Sequence, residues 1–244
     1  MATITVYSSK GGVGKTTLSV NLAWAAATLS ARRTLLWDLD GQSAASFILA
    51  PDRKSGKKAS EVIERDVAPE KLIVKTGIPR LDLLPADPSL RTLDLLFSEL
   101  GAKKRLQKIA GELASLYDRI IVDCPPGLGV TADQIIQGSS LIVLPMIPSA
   151  LSMRTADELR EHLNERRKAG PPILPVFNLV DRRRLSHRQA LDTAPDMSVV
   201  PMASVVEQMA ERHAPLGAYA PKSAPAKAIA DLWTGIEKRL SKGK

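Results

Sequence analysis

The sequence predicts an α/β protein with a doubly wound, mostly parallel and twisted sheet that carries helices on both faces. Three observations support this fold class. Short aliphatic runs alternate along the chain with segments of helical periodicity. Several of these runs are apolar throughout, which is typical of parallel strands buried on both faces. Acidic or amide residues follow three of the runs, at the strand ends where open α/β sheets bind ligands.

Length and composition bound the organisation of the chain. Its 244 residues, 44% of them hydrophobic, suffice for one large α/β domain, so we predict a single domain over residues 1–244. No run of 18 apolar residues and no secretion signal is visible, and the single cysteine fits a reducing compartment, so we expect a cytoplasmic protein. The net charge of +8 favours a polyanionic partner, and the aromatic content of 4% favours duplex phosphates over stacked bases.

The first apolar run, residues 4–7, leads into a glycine-rich turn and then into a helix. The turn reads Lys-Gly-Gly-Val-Gly-Lys-Thr-Thr, and strand, turn and helix in this order are what a phosphate-binding loop requires. Its backbone N–H groups can converge on phosphate oxygens, Lys15 can reach the β- and γ-phosphates, and the Thr16 hydroxyl can bind Mg²⁺. The predicted nucleotide-binding residues of the loop are Gly11, Gly12, Val13, Gly14, Lys15, Thr16 and Thr17.

The loop departs from the usual P-loop pattern at its start. Ser9 stands where that pattern has its first glycine, and a second lysine, Lys10, follows it. This deviant Walker A motif resembles that of the ParA/MinD family of dimerising ATPases. The resemblance implies a P-loop NTPase fold and a dimer that sandwiches two nucleotides, in which Lys10 reaches the partner's ATP. Independently, a second cation near the γ-phosphate would stabilise transition-state charge, whereas the alternative for Lys10 is a solvated loop charge.

Two other runs end in carboxylates. Residues 119–122 lead to Asp123, which fits a Walker B carboxylate that holds Mg²⁺ through a water. The other run ends at Asp38 and Asp40, where the ParA/MinD pattern is Asp-x-Asp-Pro-Gln. By that resemblance Asp40 orients the attacking water and senses the γ-phosphate, while Asp38 supports the Mg²⁺ environment; a helix N-cap is the alternative for Asp40. Gly41 replaces the proline of the pattern, so we expect a more flexible loop.

The resemblance covers nearly the whole chain and assigns further roles. In the family an asparagine at a strand end reads the adenine ring, so Asn178 is the candidate base contact, with a turn asparagine as the alternative. No helix-turn-helix domain is expected, because the P-loop begins at residue 10. The implied cofactors are ATP and Mg²⁺, with catalytic roles for Lys10, Lys15 and Asp40, nucleotide contacts from Asp123 and Asn178, and a magnesium environment formed by Thr16, Asp38, Asp40 and Asp123.

Two basic clusters are candidates for contact with DNA. The first directly follows the strand of Asn178, and the second begins just before the last predicted helix, residues 225–240, and continues along it. A solvated surface is the alternative for the first cluster. The candidate residues are Arg182, Arg183, Arg184 and Arg188 in the first cluster, and Lys222, Lys227, Lys238 and Arg239 in the second.

These features predict a ParA-like, ATP-dependent switch associated with the nucleoid. Its ATP-bound homodimer would bind duplex DNA without sequence preference and position a plasmid, a chromosome or a protein cluster. Slow hydrolysis, stimulated by a ParB-like or other cargo adaptor, would release it. The alternative is a MinD-like membrane-associated ATPase that uses the apolar stripe of the last helix. We expect that stripe to pack in the core; it comprises Ala228, Ile229, Leu232, Trp233, Ile236 and Leu240.

Overall fold

The computed structural model describes residues 1–53, 57–101, 104–127, 129–149, 151–154, 156–157, 161 and 170–242. The strands within them are β1 (Ala2–Val6), β2 (Thr34–Asp38), β3 (Val74–Lys75), β4 (Leu81–Leu84), β5 (Arg119–Asp123), β6 (Leu141–Met146), β7 (Ile173–Val180) and β8 (Ser198–Pro201). They form one sheet in the order β3-β4-β2-β5-β1-β6-β7-β8. Every neighbouring pair is parallel except β3 and β4. The predicted mostly parallel, doubly wound sheet is therefore confirmed.

The helices follow the strands in the alternation that the sequence predicts. They are α1 (Lys15–Thr28), α2 (Ala44–Leu49), α3 (Ala59–Glu64), α4 (Leu93–Leu100), α5 (Arg105–Glu112), α6 (Val130–Gln137), α7 (Leu185–Thr193), α8 (Gln208–Arg212), α9 (Leu216–Tyr219) and α10 (Ala224–Lys242). Apolar residues at helical spacing predict a helix over residues 88–99, and the structure begins there with a 3-10 turn, Pro88–Thr92, that becomes α4 at Leu93. The sequence also predicts an amphipathic helix over residues 152–168, most of which lie outside the described residues.

Alternate residues of the central strands supply two hydrophobic cores, one on each face of the sheet. In β5, Ile120 and Val122 belong to the core that α4, α5 and α6 cover, whereas Ile121 belongs to the core that α1 and α10 cover. Leu35 and Leu36 of β2 divide in the same way. Because side chains alternate along a strand, only strands that are buried on both faces can be apolar throughout.

The apolar stripe of α10 lies in the second of these cores. Ile229, Leu232, Trp233 and Ile236 are at most 3% exposed, and Trp233 Nε1 donates a hydrogen bond to Ser30 Oγ at 2.8 Å. The stripe packs in the core, as expected, and is not free to insert into a membrane. Among the described residues, no helix combines the length and the apolar character that a membrane crossing requires.

Candidate nucleotide-binding site

The glycine-rich loop connects β1 to α1 at the carboxyl edge of the sheet. Gly12 and Gly14 have φ angles of 73° and 83°, a region that other L-residues rarely adopt. Gly14 is the N-cap residue of α1, and no acidic side chain stands in the first turn of that helix. The free N–H groups of the turn are therefore available to an anion.

The two lysines of the loop have different environments. Lys15 is buried, and its Nζ donates a hydrogen bond to the carbonyl oxygen of Lys10 at 3.0 Å. Burial lowers the pKa of Lys15, and the carboxylate of Asp123 opposes this shift. Lys10 is only partly buried, and its Nζ donates to the carbonyl oxygen of Leu151 at 3.3 Å. In this arrangement Lys15 contacts its own loop, whereas Lys10 contacts a residue outside the loop.

Asp123 offers a buried, unsatisfied oxygen at the same edge. Its Oδ1 accepts a hydrogen bond from the Ser19 hydroxyl at 2.9 Å, while its Oδ2 has no hydrogen-bond partner among the described residues. Burial, and secondarily the charge of Asp38, raises the pKa of Asp123. A buried carboxylate oxygen without a partner is costly unless a ligand satisfies it. A Mg²⁺ ion, or water bound to it, would do so, and the residues present therefore fit this cation.

Asp38 and Asp40 occupy distinct positions beside Asp123. Asp38 Oδ2 accepts from Ser46 N at 2.9 Å and from Ser46 Oγ at 2.7 Å, and its Oδ1 accepts from Asp40 N at 3.1 Å. Asp40 Oδ1 accepts from Gln42 N at 2.9 Å, and Asp40 is partly exposed. The N-cap of α2 is Ser43, so the alternative that Asp40 caps this helix is wrong. Asp38 instead satisfies an N–H group of its first turn.

Close packing against Arg91 explains the glycine at position 41. A Cβ on Gly41 would lie 2.7 Å from Arg91 Cγ and 2.8 Å from Arg91 N. The 3-10 turn Pro88–Thr92 therefore approaches the loop so closely that only glycine fits. The expectation that this glycine makes the loop more flexible stays a prediction. Backbone strain lies two residues later, where Ser43 has a φ of 57°.

The side chain of Asn178 contacts the backbone of the P-loop. It is 2% exposed, and its Nδ2 donates to the carbonyl oxygen of Val13 at 2.8 Å. A Cβ at residue 14 would overlap the Asn178 amide, so Asn178 can take this position only next to a glycine. Asn178 lies inside β7, so the alternative of a turn asparagine is wrong. Next to it opens a cleft of about 260 Å³ that adjoins α1; its lining includes Thr17, Asn178, Pro201, Met202, Met209 and Ile229.

The first basic cluster does not present four equivalent cations. Arg183 forms two hydrogen bonds of 2.9 Å with the carboxylate of Asp181. Arg188 Nη1 donates to the carbonyl oxygens of Arg182 and Arg183 at 3.2 and 3.4 Å. Within the described part of the chain, the guanidinium groups of Arg182 and Arg184 are exposed and have no such contact. They are the free cations of this cluster.

The second basic cluster begins just before α10 and is spread along it. Lys227 and Lys238 are 11 residues apart on α10, which is about 16 Å along the helix axis. Lys238 and Arg239 lie beside Glu237, which pairs with Arg119 at the first residue of β5. Lys222 and Lys227 lie at the opposite end of the helix. All four residues stay candidates for contact with DNA.

Three side chains that the sequence did not single out belong to the site. Ser46 holds Asp38. The Tyr7 hydroxyl donates to the carbonyl oxygen of Gly127 at 2.7 Å, and Asp94 Oδ1 accepts from Thr131 N at 2.8 Å. The role of Tyr7 could have been suspected from the sequence, because a buried tyrosine needs a partner for its hydroxyl. The role of Asp94 could not, since an acidic residue on a helix is ordinarily solvated.

A phosphate-binding loop with gathered carboxylates at the carboxyl edge defines the class of P-loop NTPases. The model of a family of AAA domains matches residues 1–174, so the chain belongs to this family. The chromosome partitioning protein ParA of Myxococcus xanthus is 29% identical over 195 residues, which cover 76% of this chain and 68% of that protein. A virulence plasmid ParA family protein of Chlamydia psittaci is 26% identical over 253 residues, covering 98% and 96%.

Solved structures agree with this assignment. Cobyrinic acid a,c-diamide synthase from Mycobacterium smegmatis, with bound ATP analogue and magnesium, superposes with a TM-score of 0.81 at 25% identity; 100% of this chain and 97% of that chain are covered. The septum site-determining protein MinD from Pyrococcus horikoshii, complexed with Mg-ADP, shares the fold, with a TM-score of 0.80 at 24% identity and 98% and 97% covered. The ParA/MinD resemblance and the P-loop NTPase fold are thus confirmed, and the ligands of these proteins agree with ATP and Mg²⁺.

Proposed function

We propose that this chain is a single-domain, ParA-like positioning ATPase. It binds ATP with Mg²⁺, dimerises around the nucleotide, binds duplex DNA in that state and leaves the DNA after hydrolysis. The observation that carries this proposal is the carboxyl edge of the sheet, where an open P-loop stands beside a buried carboxylate with an unsatisfied oxygen. The names of the partitioning relatives support a chromosome or a plasmid as the cargo. A protein cluster as the cargo, and an adaptor that stimulates hydrolysis, are further parts of the proposal.

The roles of the site residues follow from their positions. The N–H groups of the P-loop and Lys15 hold the phosphates, and the Thr16 hydroxyl and Asp123 hold the cation. Bound Mg²⁺ supplies charge neutralisation at the β- and γ-phosphates. Asp40, which is accessible at the edge, orients the attacking water, while Asp38 keeps the loop of Asp40 in place. Lys10 leaves the Leu151 carbonyl and contacts the nucleotide of the partner.

Asn178 and the adjoining cleft are proposed to bind the base. Because Asn178 Nδ2 is engaged by the P-loop, the amide oxygen is the atom available to the adenine N6 donor. The cleft volume of about 260 Å³ suits a planar ring beside the phosphate loop. This arrangement would connect base binding directly to the loop that holds the phosphates.

DNA contact is assigned first to Arg182 and Arg184. Their neighbours Arg183 and Arg188 are already engaged within the protein, so they have less to offer a phosphate. Lys222 and Lys227 are the second candidates. The MinD-like alternative lacks support from α10, whose apolar stripe is part of the core. We therefore propose nucleoid association in the cytoplasm rather than membrane attachment.

Binding to random-sequence duplex DNA tests this function. It is measured with ATP, ADP or no nucleotide, at low and moderate salt. We expect ATP-dependent, salt-sensitive binding that Lys15→Ala abolishes. The double variant Arg182→Ala/Arg184→Ala should weaken binding about tenfold or more, and Arg183→Ala is the matched control with a smaller effect. Absence of binding in every nucleotide state would contradict the DNA-bound switch.

A further inference from the structure

We infer that Tyr7 and Asp94 are positioning residues for hydrolysis, because they hold the loop after Asp123 at two points. This loop, here called the Asp123 loop, comprises residues 124–131, of which 124–127 and 129–131 are described. The inference rests on the proposed function, ATP hydrolysis at this site. It concerns two side chains that lie outside the P-loop and the carboxylate cluster.

Tyr7 restrains the Asp123 loop from the P-loop side. It follows β1 directly, three residues before Lys10, and is 1% exposed. Its hydroxyl donates to the carbonyl oxygen of Gly127 at 2.7 Å. Burial raises the pKa of Tyr7, so the hydroxyl keeps its proton and remains a donor. Gly127 has a φ of 121°, which other residues rarely adopt, so the loop presents this carbonyl through a backbone shape that glycine permits.

Asp94 restrains the same loop from α4. Its Oδ1 accepts from the N–H group of Thr131, in the first turn of α6, at 2.8 Å. The cap residue of α6 is Gly129, and a Cβ there would lie 2.6 Å from Asp94 Oδ1. The absence of a side chain at Gly129 therefore lets the Asp94 carboxylate reach the helix N-terminus, where a negative charge is favourable.

The element that carries Asp94 also contacts the loop of Asp40. Arg91, one turn earlier, packs against Gly41. A cleft of about 110 Å³ remains between this element and the Asp123 loop, lined in part by Arg91, Asp94 and Thr131. The Thr131 hydroxyl is buried and has no partner among the described residues. The hydrogen bond from Thr131 N to Asp94 Oδ1 therefore spans an interface that the side chains do not fill completely.

The consequence concerns catalytic geometry. Residues 88–100 connect the loop that carries Asp40 with the loop that follows Asp123, and Tyr7 ties the latter to the P-loop. Small displacements of catalytic groups cost large factors in rate. We therefore expect Tyr7→Phe and Asp94→Ala each to lower kcat by about tenfold, with KM for ATP nearly unchanged because the P-loop is intact.

The experiment combines steady-state ATP hydrolysis with amide hydrogen exchange of residues 124–133. The variants are Tyr7→Phe, Asp94→Ala and Asp94→Asn, which keeps an acceptor at Oδ1. Glu99→Ala, which removes an exposed acidic side chain of the same helix, is the matched control. Tyr7→Phe and Asp94→Ala should raise exchange in the segment and lower kcat, whereas Asp94→Asn and Glu99→Ala should resemble the wild type.

The outcomes separate this inference from the proposed function. Unchanged exchange in Asp94→Ala and Tyr7→Phe would overturn the restraint, and faster exchange with wild-type kcat would overturn its role in positioning. An equal loss of kcat in Asp94→Asn and Asp94→Ala would also count against the hydrogen bond. If the wild-type protein hydrolyses no ATP, the proposed function fails, and the exchange comparison alone then decides whether the two side chains restrain the loop.

Discussion

The two edges of the sheet differ in how their charged side chains are paired. At the amino edge, Arg119 and Glu237 form a bidentate pair with distances of 2.7 and 2.9 Å, and Arg32 adds to the same carboxylate. At the carboxyl edge, the carboxylates of Asp38 and Asp40 lie near that of Asp123, and the nearby Lys15 donates to a backbone carbonyl instead of pairing with one of them. The difference indicates that the amino edge is built for stability, whereas the carboxyl edge keeps charge and strain available for a ligand.

The largest effect is expected from Lys15→Ala, which removes a cation from the carboxyl edge. Removal of this cation should weaken binding of the ATP phosphates, or their hydrolysis, by about 100-fold or more. The unfolding temperature should not fall, because within the described residues Lys15 makes no ion pair with a carboxylate. Titration with a fluorescent ATP analogue and thermal unfolding measure both quantities. A clear loss of stability would show that Lys15 is structural.

The amino edge should respond in the opposite manner. Arg119→Ala leaves the partly buried Glu237 with Arg32 as its one ion-pair partner among the described residues, so we expect the free energy of unfolding to fall by about 2–3 kcal/mol. ATP affinity should be unchanged, because Arg119 is at the other end of β5 from Asp123. Lys75→Ala is the matched control, since the Lys75 side chain is 85% exposed and its pair with Asp82 contributes at most about 1 kcal/mol. Urea denaturation compares the three proteins.

A smaller gain in stability is expected at Ser43. Its φ of 57° is unfavourable for a residue with a Cβ, and its hydroxyl is buried without a partner in the described structure. Ser43→Gly should stabilise the protein by about 1 kcal/mol. Ser43→Ala removes the hydroxyl but keeps the strain, so it should gain less. Equal gains in the two variants would assign the cost to the hydroxyl rather than to the backbone.

The smallest effect is a pH dependence at His187, beside the first basic cluster. Its Nδ1 accepts from Asp181 N at 3.0 Å, and burial, with the charge of Arg184, lowers its pKa. The unfolded chain, with a histidine pKa of about 6.5, then binds the proton more readily. The stabilisation that the neutral ring provides is complete when the pH is above the pKa of the unfolded state, and it is lost as the pH falls below that pKa. Thermal unfolding between pH 7.5 and 5.5 should therefore change more in the wild type than in His187→Asn.

The sequence predicted the architecture because apolar runs and glycines carry that information locally. The strand of Ile120 and Ile121 and the P-loop could be identified without tertiary structure. The shape of the Asp40 loop could not, because Gly41 is explained only by Arg91, which is 50 residues later in the chain. The pairing of Arg183 with Asp181 could not be predicted either, because the sequence does not distinguish one arginine of the run from the next.

The most direct measurement is thermal unfolding of the wild type and of Asp123→Asn, each without nucleotide, with ATP, and with ATP and Mg²⁺. We expect the Asp123 charge to destabilise the free protein and to be satisfied only through the cation. Asp123→Asn should then unfold at a higher temperature without nucleotide and lose the additional stabilisation that Mg²⁺ gives to the ATP complex. A lower unfolding temperature without nucleotide, together with an undiminished response to Mg²⁺, would contradict this role of Asp123.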